Sequence, residues 1–407
     1  MDYRQSIAYL FGLQRFGIKL GLANIEKLLS LLGNPHKKLR CVHIAGTNGK
    51  GSTAAFLHSI LTHSGYHAGL FTSPHLVDFT ERIRIIDTEI PRKRVVQLVQ
   101  QIRDTSTQAG LENITFFEFI TALAFQYFAE EKTDPVVVET GMGGRLDATI
   151  AEEKAGIIKK NTPLLAGARQ SGVIRLFAGK CQTLQAPFYV LGKNILCRKA
   201  GPGALNYSGL DVSLKNVQLG LLGDHQMRNA GLALGAAELL RRQGFDIQEQ
   251  ALIKGMQKAR WPGRLEVVRQ KPAVVLDGAH NPEAWKALRG ALRKYFNFKN
   301  LFMVIGVMQD KDINRMIETL TPDAHTVIFC KPKMDRAAGK TAIASRMAAL
   351  PKKKILWIED TAKAVNKAFE LAAPDDLLCV TGSLFTVGEA REYLLPGRHP
   401  ASGRIPM

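Results

Sequence analysis

Cysteine is scarce in this 407-residue sequence: Cys41, Cys181, Cys197, Cys330 and Cys379 are an odd, widely spaced set without CxxC or Cys/His ligand spacing. Such a set argues against a disulfide framework or a zinc site and fits the thiols of a reducing compartment. Long apolar runs are also missing. No charged start followed by an apolar stretch opens the chain at Met1, and no run has the length needed to cross a bilayer. A cytoplasmic protein with no membrane partner is therefore expected. Acidic residues are in deficit, 36 against 55 Lys and Arg, for a net charge of +19. That excess would suit nucleic acid, a membrane surface or anionic small substrates. The basic residues are scattered, apart from groups such as Arg92 to Arg94 and Lys352 to Lys354, and no basic tract is interleaved with aromatics. Nucleic acid is not an expected partner. Fixed-period repeats and low-complexity tracts are absent too.

What is present is globular: 46% hydrophobic and 22% charged residues in a chain too long for one hydrophobic core. Two or at most three domains are expected. A short apolar run, Leu39 to Ile44, meets a glycine-rich turn, and from Ser52 the positions Ala55, Phe56, Leu57, Ile60 and Leu61 follow helical spacing. This strand, loop and helix are followed by a strand at Ala68 to Phe71, a helix opened by Pro91, a helix over about 117–128 and a buried-type strand at Val136 to Val138. The alternation predicts a parallel, doubly wound α/β sheet. Two further helices reach Arg242 and about Ala259, and Trp261-Pro262-Gly263 then punctuates the chain. Beyond it, strands at 273–276, 301–305, 326–329, 355–358 and 377–380 alternate with helices. The expected division is 1–265 and 266–407, the second part a smaller α/β domain.

Gly46-Thr47-Asn48-Gly49-Lys50-Gly51-Ser52 lies between a predicted strand and a predicted helix, where backbone N–H groups and the helix dipole favour anionic oxygens. It is not a regular P-loop, since Ile44 stands where the first glycine would be. Read alone, it is a phosphate loop or a tight turn.

Other motifs accompany it: Thr72-Ser73-Pro74-His75-Leu76, Phe116-Phe117-Glu118, Glu139 through Thr149 (ETGMGGRLDAT), Glu153 through Lys159 (EKAGIIK), His225-Gln226 with Asn229, Pro262-Gly263-Arg264, Asp277 through Pro282 (DGAHNP) and Thr381-Gly382-Ser383. In this order, from about residue 40 to 385, the set resembles the folylpolyglutamate synthase/dihydrofolate synthase family of Mur ligases.

The resemblance implies an ATP- and Mg²⁺-dependent ligase that adds L-glutamate to dihydropteroate, to tetrahydrofolate or to both, through an acyl phosphate. It implies that Gly49, Lys50, Gly51 and Ser52 hold the ATP phosphates, with Asn229, Arg264 and Asp277 completing the nucleotide site. Ser73 and Glu139 match the metal-ligating positions, and Lys154 the position that carries a carbamate in the family. Thr115, Phe116, Phe117 and Glu118 with Leu146, Asp147 and Ala148 match the pterin pocket. His280 and Ser383 lie where incoming glutamate is met. For single residues a plainer reading stands beside each of these: core packing for one of Phe116 and Phe117, a loop-ordering role for His280, and an exposed helix lysine for Lys154. A monomer acting on small molecules is expected.

One departure bears on activity. Family members carry a substantial stretch, with a sheet strand and an Asp-His pair, between the GRLDAT and EKAG motifs, whereas here Thr149 is followed at once by Ile150-Ala151-Glu152-Glu153-Lys154. This departure keeps open a catalytically impaired member that serves as a binding protein; separately, the phosphate loop and its chemistry are shared with another Mur-type amino-acid ligase, the second alternative.

Overall fold

The structure is a computed structural model, described here for residues 1–17, 21–111, 113–140, 151–152, 154–348 and 354–396. Leu146, Asp147 and Ala148 lie outside the described residues. The chain opens with two short helices, α1 (Tyr3–Gly12) and α2 (Ala23–Leu31). The apolar run predicted next becomes β1 (Cys41–Ile44), and the glycine-rich loop turns it into α3 (Lys50–His63). Then come β2 (Gly69–Phe71), β3 (Ile83–Ile85), β4 (Thr88–Glu89), α4 (Arg92–Gln108), α5 (Phe116–Glu130) and β5 (Val136–Glu139). Pro91 is the N-cap of α4, and Thr115 with Glu118 forms a capping box at the start of α5.

These strands form one sheet in the order β1-β5-β2-β3-β4. β5 pairs parallel with β1 and β2, while β3 and β4 join as antiparallel edge strands that the parallel expectation did not include. Val136, Val137 and Val138 are buried at the centre, between two apolar clusters. One cluster gathers α3 and the later helices around Phe56, Leu57 and Ile60. The other gathers α1, α4 and α5 around Leu98, Ile102, Phe119 and Phe128.

The chain continues as β6 (Leu164–Ala166), α6 (Ser171–Thr183) and β7 (Phe188–Val190), where β6 and β7 form a separate parallel pair. An antiparallel three-stranded sheet follows, β8 (Leu196–Gly201), β9 (Ala204–Ser208) and β10 (Ser213–Gln218), then α7 (Gln226–Arg242) and α8 (Glu249–Lys258). Sequence patterning did not register this meander.

Past Trp261 a second sheet begins with β11 (Glu266–Gln270) and β12 (Ala273–Leu276). It continues through α9 (Pro282–Tyr295), β13 (Leu301–Ile305), α10 (Ile313–Leu320), β14 (Thr326–Phe329), α11 (Lys340–Ala348), β15 (Lys354–Trp357), α12 (Thr361–Leu371), β16 (Leu377–Thr381) and α13 (Leu384–Leu394). The strand order is β11-β12-β16-β13-β14-β15, parallel except for the added edge strand β11. Apolar clusters cover both faces, as fully apolar parallel strands require. Among the described residues no helix is long and apolar enough to cross a membrane.

Candidate active site

Three neighbouring strand ends build the site. β1 and β5 are in register from Cys41–Val136 to Ile44–Glu139, and β2 sits on the other side of β5 with Phe71 beside Val138. The phosphate loop leaving β1, Glu139 ending β5 and Ser73 just past β2 therefore emerge side by side at the C-terminal edge. That edge is where open α/β sheets bind ligands.

The loop is shaped for close approach. Gly49 has φ +84 and a Cβ there would lie 2.3 Å from Asn229 Oδ1, so only glycine lets α7 approach the loop. Asn229 in turn donates to Gln226 (2.8 Å), whose amide reaches Ser52 Oγ at 3.4 Å. A Cβ at Gly51 would stand 2.9 Å from the Trp261 indole, which puts the hinge tryptophan against the loop. Lys50 Nζ donates to the Gly46 carbonyl at 2.9 Å. Burial pushes its ammonium below the ordinary lysine range, with Glu139 opposing and Arg264 reinforcing the change.

Glu139 is buried, 5% exposed, and receives the Ser73 amide at 3.3 Å. Burial raises its carboxyl to about 7, against the pull of Lys50, the Ser73 amide, Arg264 and Arg82. Ser73 Oγ is buried with no hydrogen-bond partner, a costly state unless something else contacts it. Gly51, Ser73, Glu139, Trp261, Arg264 and Leu384 enclose a small cavity of about 70 Å³ between the two sheets. Among the described residues no cluster of three or more His, Cys, Asp or Glu side chains could hold a metal. Glu139 and Ser73 offer this cavity a carboxylate and a hydroxyl, both hard oxygens, and Thr72, His75 and Glu81 also line it.

Glu139 gives a clean pH prediction. An unfolded glutamate titrates near 4.3, so between about 4.3 and 7 the folded chain holds a proton that the unfolded chain has released. The stability this contributes is present below about 4.3 and is lost as pH rises through about 7. Glu139→Gln is expected to stabilise the fold in EDTA without nucleotide at pH 8 by on the order of 3 kcal/mol, seen as a raised melting temperature, and to change little at pH 4.5. Equal melting shifts at the two pH values would refute this.

Lys154 Nζ donates to Thr47 Oγ1 at 2.7 Å, which brings this lysine onto the phosphate loop rather than out along a helix surface. Asp277, 7% exposed, spends both carboxylate oxygens on the amides of Leu265 and Ala279 (2.9 Å each). It ties the hinge to the loop that carries His280. His280 Nδ1 faces the Gly278 carbonyl at 2.8 Å, so Nδ1 carries the proton and Nε2 is left as an acceptor. Burial lowers its pKa, with the Gly278 bond opposing. Ser383 is the N-cap of α13: its Oγ accepts from the Thr386 amide (3.0 Å) and exchanges a bond with Thr386 Oγ1 (2.7 Å). Thr115 and Glu118 are likewise committed to each other, Glu118 accepting from both the Thr115 amide and hydroxyl at 2.8 Å.

Phe117 is 37% exposed, whereas Phe116 is half-buried, packs against the apolar cluster of α1, α4 and α5, and stacks on Phe11 with centroids 5.6 Å apart and planes 9° apart. Phe11 and Arg82 belong to no motif in the sequence, and His75 entered only as a member of Thr72-Ser73-Pro74-His75-Leu76. Arg82 is buried, lies over Phe116 at 5.4 Å and donates from Nε to His75 Nδ1 at 2.8 Å. Burial lowers its guanidinium to about 10 and the His75 imidazole to about 3. The burial of Arg82 is a matter of tertiary packing, which no local pattern around it reports.

A phosphate loop whose lysine faces a buried carboxylate, under a second parallel sheet that closes the cleft, defines an ATP-dependent ligase of the Mur type, and residues 263–384 match the family model "Mur ligase, glutamate ligase domain". The chain is 33% identical over 428 residues to the dihydrofolate synthase/folylpolyglutamate synthase of Bacillus subtilis, covering 96% of this chain and 99% of that protein. It is 35% identical over 428 residues to a probable bifunctional folylpolyglutamate synthase/dihydropteroate synthase of Haloferax volcanii, where it spans 96% of its own length but only 50% of that protein. A Mycobacterium tuberculosis folylpolyglutamate synthase complexed with ADP superposes with TM-score 0.89 at 29% identity, over 98% of this chain and 100% of that one. The chain belongs to the folylpolyglutamate synthase/dihydrofolate synthase family, ATP-dependent acid–amino-acid ligases. These likenesses favour the ligase over a noncatalytic binding protein or another type of Mur ligase.

Proposed function

We propose that the protein adds L-glutamate to the free carboxylate of dihydropteroate and of tetrahydrofolate, through an acyl phosphate. The observation that carries this reading is the meeting of Lys50, Glu139 and Ser73 at three adjacent strand ends beneath Arg264. A carboxylate does not react with an amine at neutral pH until it is activated, and transfer of a γ-phosphoryl group from ATP supplies a leaving group. Such a transfer depends on positioning and charge neutralisation more than on covalent help from the protein. Gly49, Gly51 and Ser52 offer loop N–H groups, Lys50 offers charge, and Arg264 reaches in from the hinge. Asn229 braces the loop, and Asp277 holds the hinge.

Mg²⁺ fits the orphaned Ser73 hydroxyl and the buried Glu139 carboxylate, hard oxygens that leave room for phosphate oxygens and waters. When bound, the metal supplies neutralisation of charge on the phosphates. Lys154, on the loop through Thr47, is placed for either a cation or a carbamate. The half-buried Phe116 face with Arg82 supports a flat heterocycle nearby, and the Nε2 lone pair of His280 supports an ammonium donor. Ser383 then acts by ordering the turn after β16. We assign residues 1–265 to ATP and folate binding and 266–407 to the glutamate side of the reaction, in a cytoplasmic monomer that takes only small-molecule partners.

The deciding experiment measures ATP- and glutamate-dependent phosphate release with dihydropteroate and tetrahydrofolate as separate acceptors. Release with both is expected. Turnover of tetrahydrofolate alone would remove the synthase half, and no glutamate-dependent release with either would remove the assignment.

A further inference from the structure

Between Ser73 and Asp78 the chain leaves β2 and crosses to the second sheet. Glu81, 9% exposed, accepts from three successive amides of this segment: Leu76 at 2.7 Å, Val77 at 2.9 Å and Asp78 at 3.0 Å. One carboxylate gripping three consecutive N–H groups makes the segment a stiff hook, because charge-assisted bonds of this kind are short and strong. Asp78 anchors the base of the hook, accepting from Tyr3 Oη at 2.5 Å and from Arg92 at 2.6 Å.

The tip of the hook is Leu76. Its side chain packs against the apolar cluster of the second sheet that contains Val274, Leu276, Val387 and Ala390. Two glycines make the socket, Gly388 in the second unit and Gly263 at the hinge that leads to it. A Cβ at Gly388 of α13 would lie 2.0 Å from the Leu76 carbonyl oxygen, and one at Gly263 would lie 3.3 Å from Leu76 Cδ2. Leu76 is thus a side chain of the first unit seated in the packing of the second. Ser73, three residues earlier on the same hook, is joined to Glu139.

We propose that Leu76 is a key that enters the Gly263–Gly388 socket when the two units close, and that Glu81 is the positioning residue which couples this closure to the placement of Ser73 beside Glu139. The inference rests on the ligase reading only for the reaction being measured. Closing the units and assembling the phosphoryl-transfer site become one event, so that ATP is activated only after the glutamate side has docked.

The test uses Leu76→Ala, Gly388→Ala, their double variant, Leu76→Met and Glu81→Gln in the full chain. Each of the two single substitutions at the contact is expected to lower kcat by about ten- to hundredfold and raise the glutamate KM, with the ATP dissociation constant from equilibrium dialysis held within about twofold. The double variant should be no worse than the poorer single one, since both break the same contact, and Leu76→Met should recover most of the loss. In Glu81→Gln an amide N–H replaces an acceptor facing one of the hook amides, and kcat should fall with unchanged ATP affinity. Small-angle scattering reads closure without chemistry, so a larger radius of gyration is expected in Leu76→Ala and Gly388→Ala whatever the acceptor proves to be. Turnover within about twofold of the parent together with an unchanged radius overturns the proposal. So does a loss of kcat that tracks a loss of ATP affinity and melting temperature in every variant, which marks plain structural damage.

Discussion

Lys50→Ala is expected to lower ATP-dependent turnover by about 10² to 10³ while leaving the far-ultraviolet spectrum and the melting temperature near those of the parent. The size follows from what the ammonium does. It sits at the N-terminus of α3, half-buried, fixed to the Gly46 carbonyl and within electrostatic reach of Glu139 and Arg264. In that low-dielectric pocket one charge aimed at a migrating phosphoryl group is worth several kcal/mol of transition-state stabilisation, about 3 to 4 for a 10² to 10³ effect. The fold loses little, because α3 is held by the buried Phe56, Leu57, Ile60 and Leu61. Lys50→Arg is expected to remain poor. A planar guanidinium cannot take the place of a compact ammonium among loop carbonyls. Near-normal turnover in Lys50→Ala, measured as glutamate-dependent phosphate release, would show that the glycine-rich loop is only a turn.

The loop and its strand were legible because their chemistry is local. Val136 to Val138 is a continuous apolar run bounded by polar residues, so it could only be a strand buried on both faces, and Glu139 at its end was conspicuous. The second sheet was read strand by strand for the same reason. Its edge strand β11, Glu266–Gln270, was not, because a half-exposed antiparallel edge carries no apolar run. The meander β8 to β10 escaped for a related cause. Leu196–Gly201 and Ser213–Gln218 are mostly exposed and rich in Lys, Arg and Asn, and what holds them is tertiary. Glu238, fully buried on α7, accepts from Tyr207 Oη and from the amides of Leu210, Asp211 and Val212, an anchor no local pattern reveals.

In the site, residue type was easier to read than residue duty. Thr115, Glu118 and Ser383 stand where substrate contacts were expected, and each also takes part in a helix cap. A Ser or Thr before an apolar run carries both meanings in sequence, and only the partners tell them apart. Phe11 and Arg82 had no sequence signal at all. Their role depends on α1 and the turn before β3 meeting over Phe116.

Reinsertion of a family segment between Thr149 and Ile150 is expected to raise both stability and turnover. Among the described residues β1 pairs only with β5, and β6 pairs only with β7, so the first sheet stops at β1 and a two-stranded fragment stands apart. Yet Val42 and Ile44 of β1 and Leu165 of β6 pack on one and the same apolar cluster, built on α3 and α7. Both fragments thus rest on a common helix layer, as neighbours in one continuous sheet would. On its other face β1 leaves Cys41 and His43 exposed, where a parallel strand beside a phosphate loop is ordinarily covered on both faces. The Bacillus alignment runs over 428 residues, more than the 407 of this chain, so the relative carries residues that this chain lacks. A strand restored there would engage ladder groups on both edges at about 1 kcal/mol per bond, and each 1 kcal/mol moves the melting temperature by about 2 to 4 °C at this size. The same segment brings the histidine that the resemblance places at the metal. Without that imidazole, the present chain is expected to need about 10- to 100-fold more Mg²⁺ for half-maximal turnover than the inserted variant. Magnesium titrations of phosphate release by the two proteins, with melting curves alongside, decide it. An ordinary Mg²⁺ requirement and an unchanged melting temperature would mean that Glu139, Ser73 and solvent complete the site, and that the sheet as it stands needs no further strand.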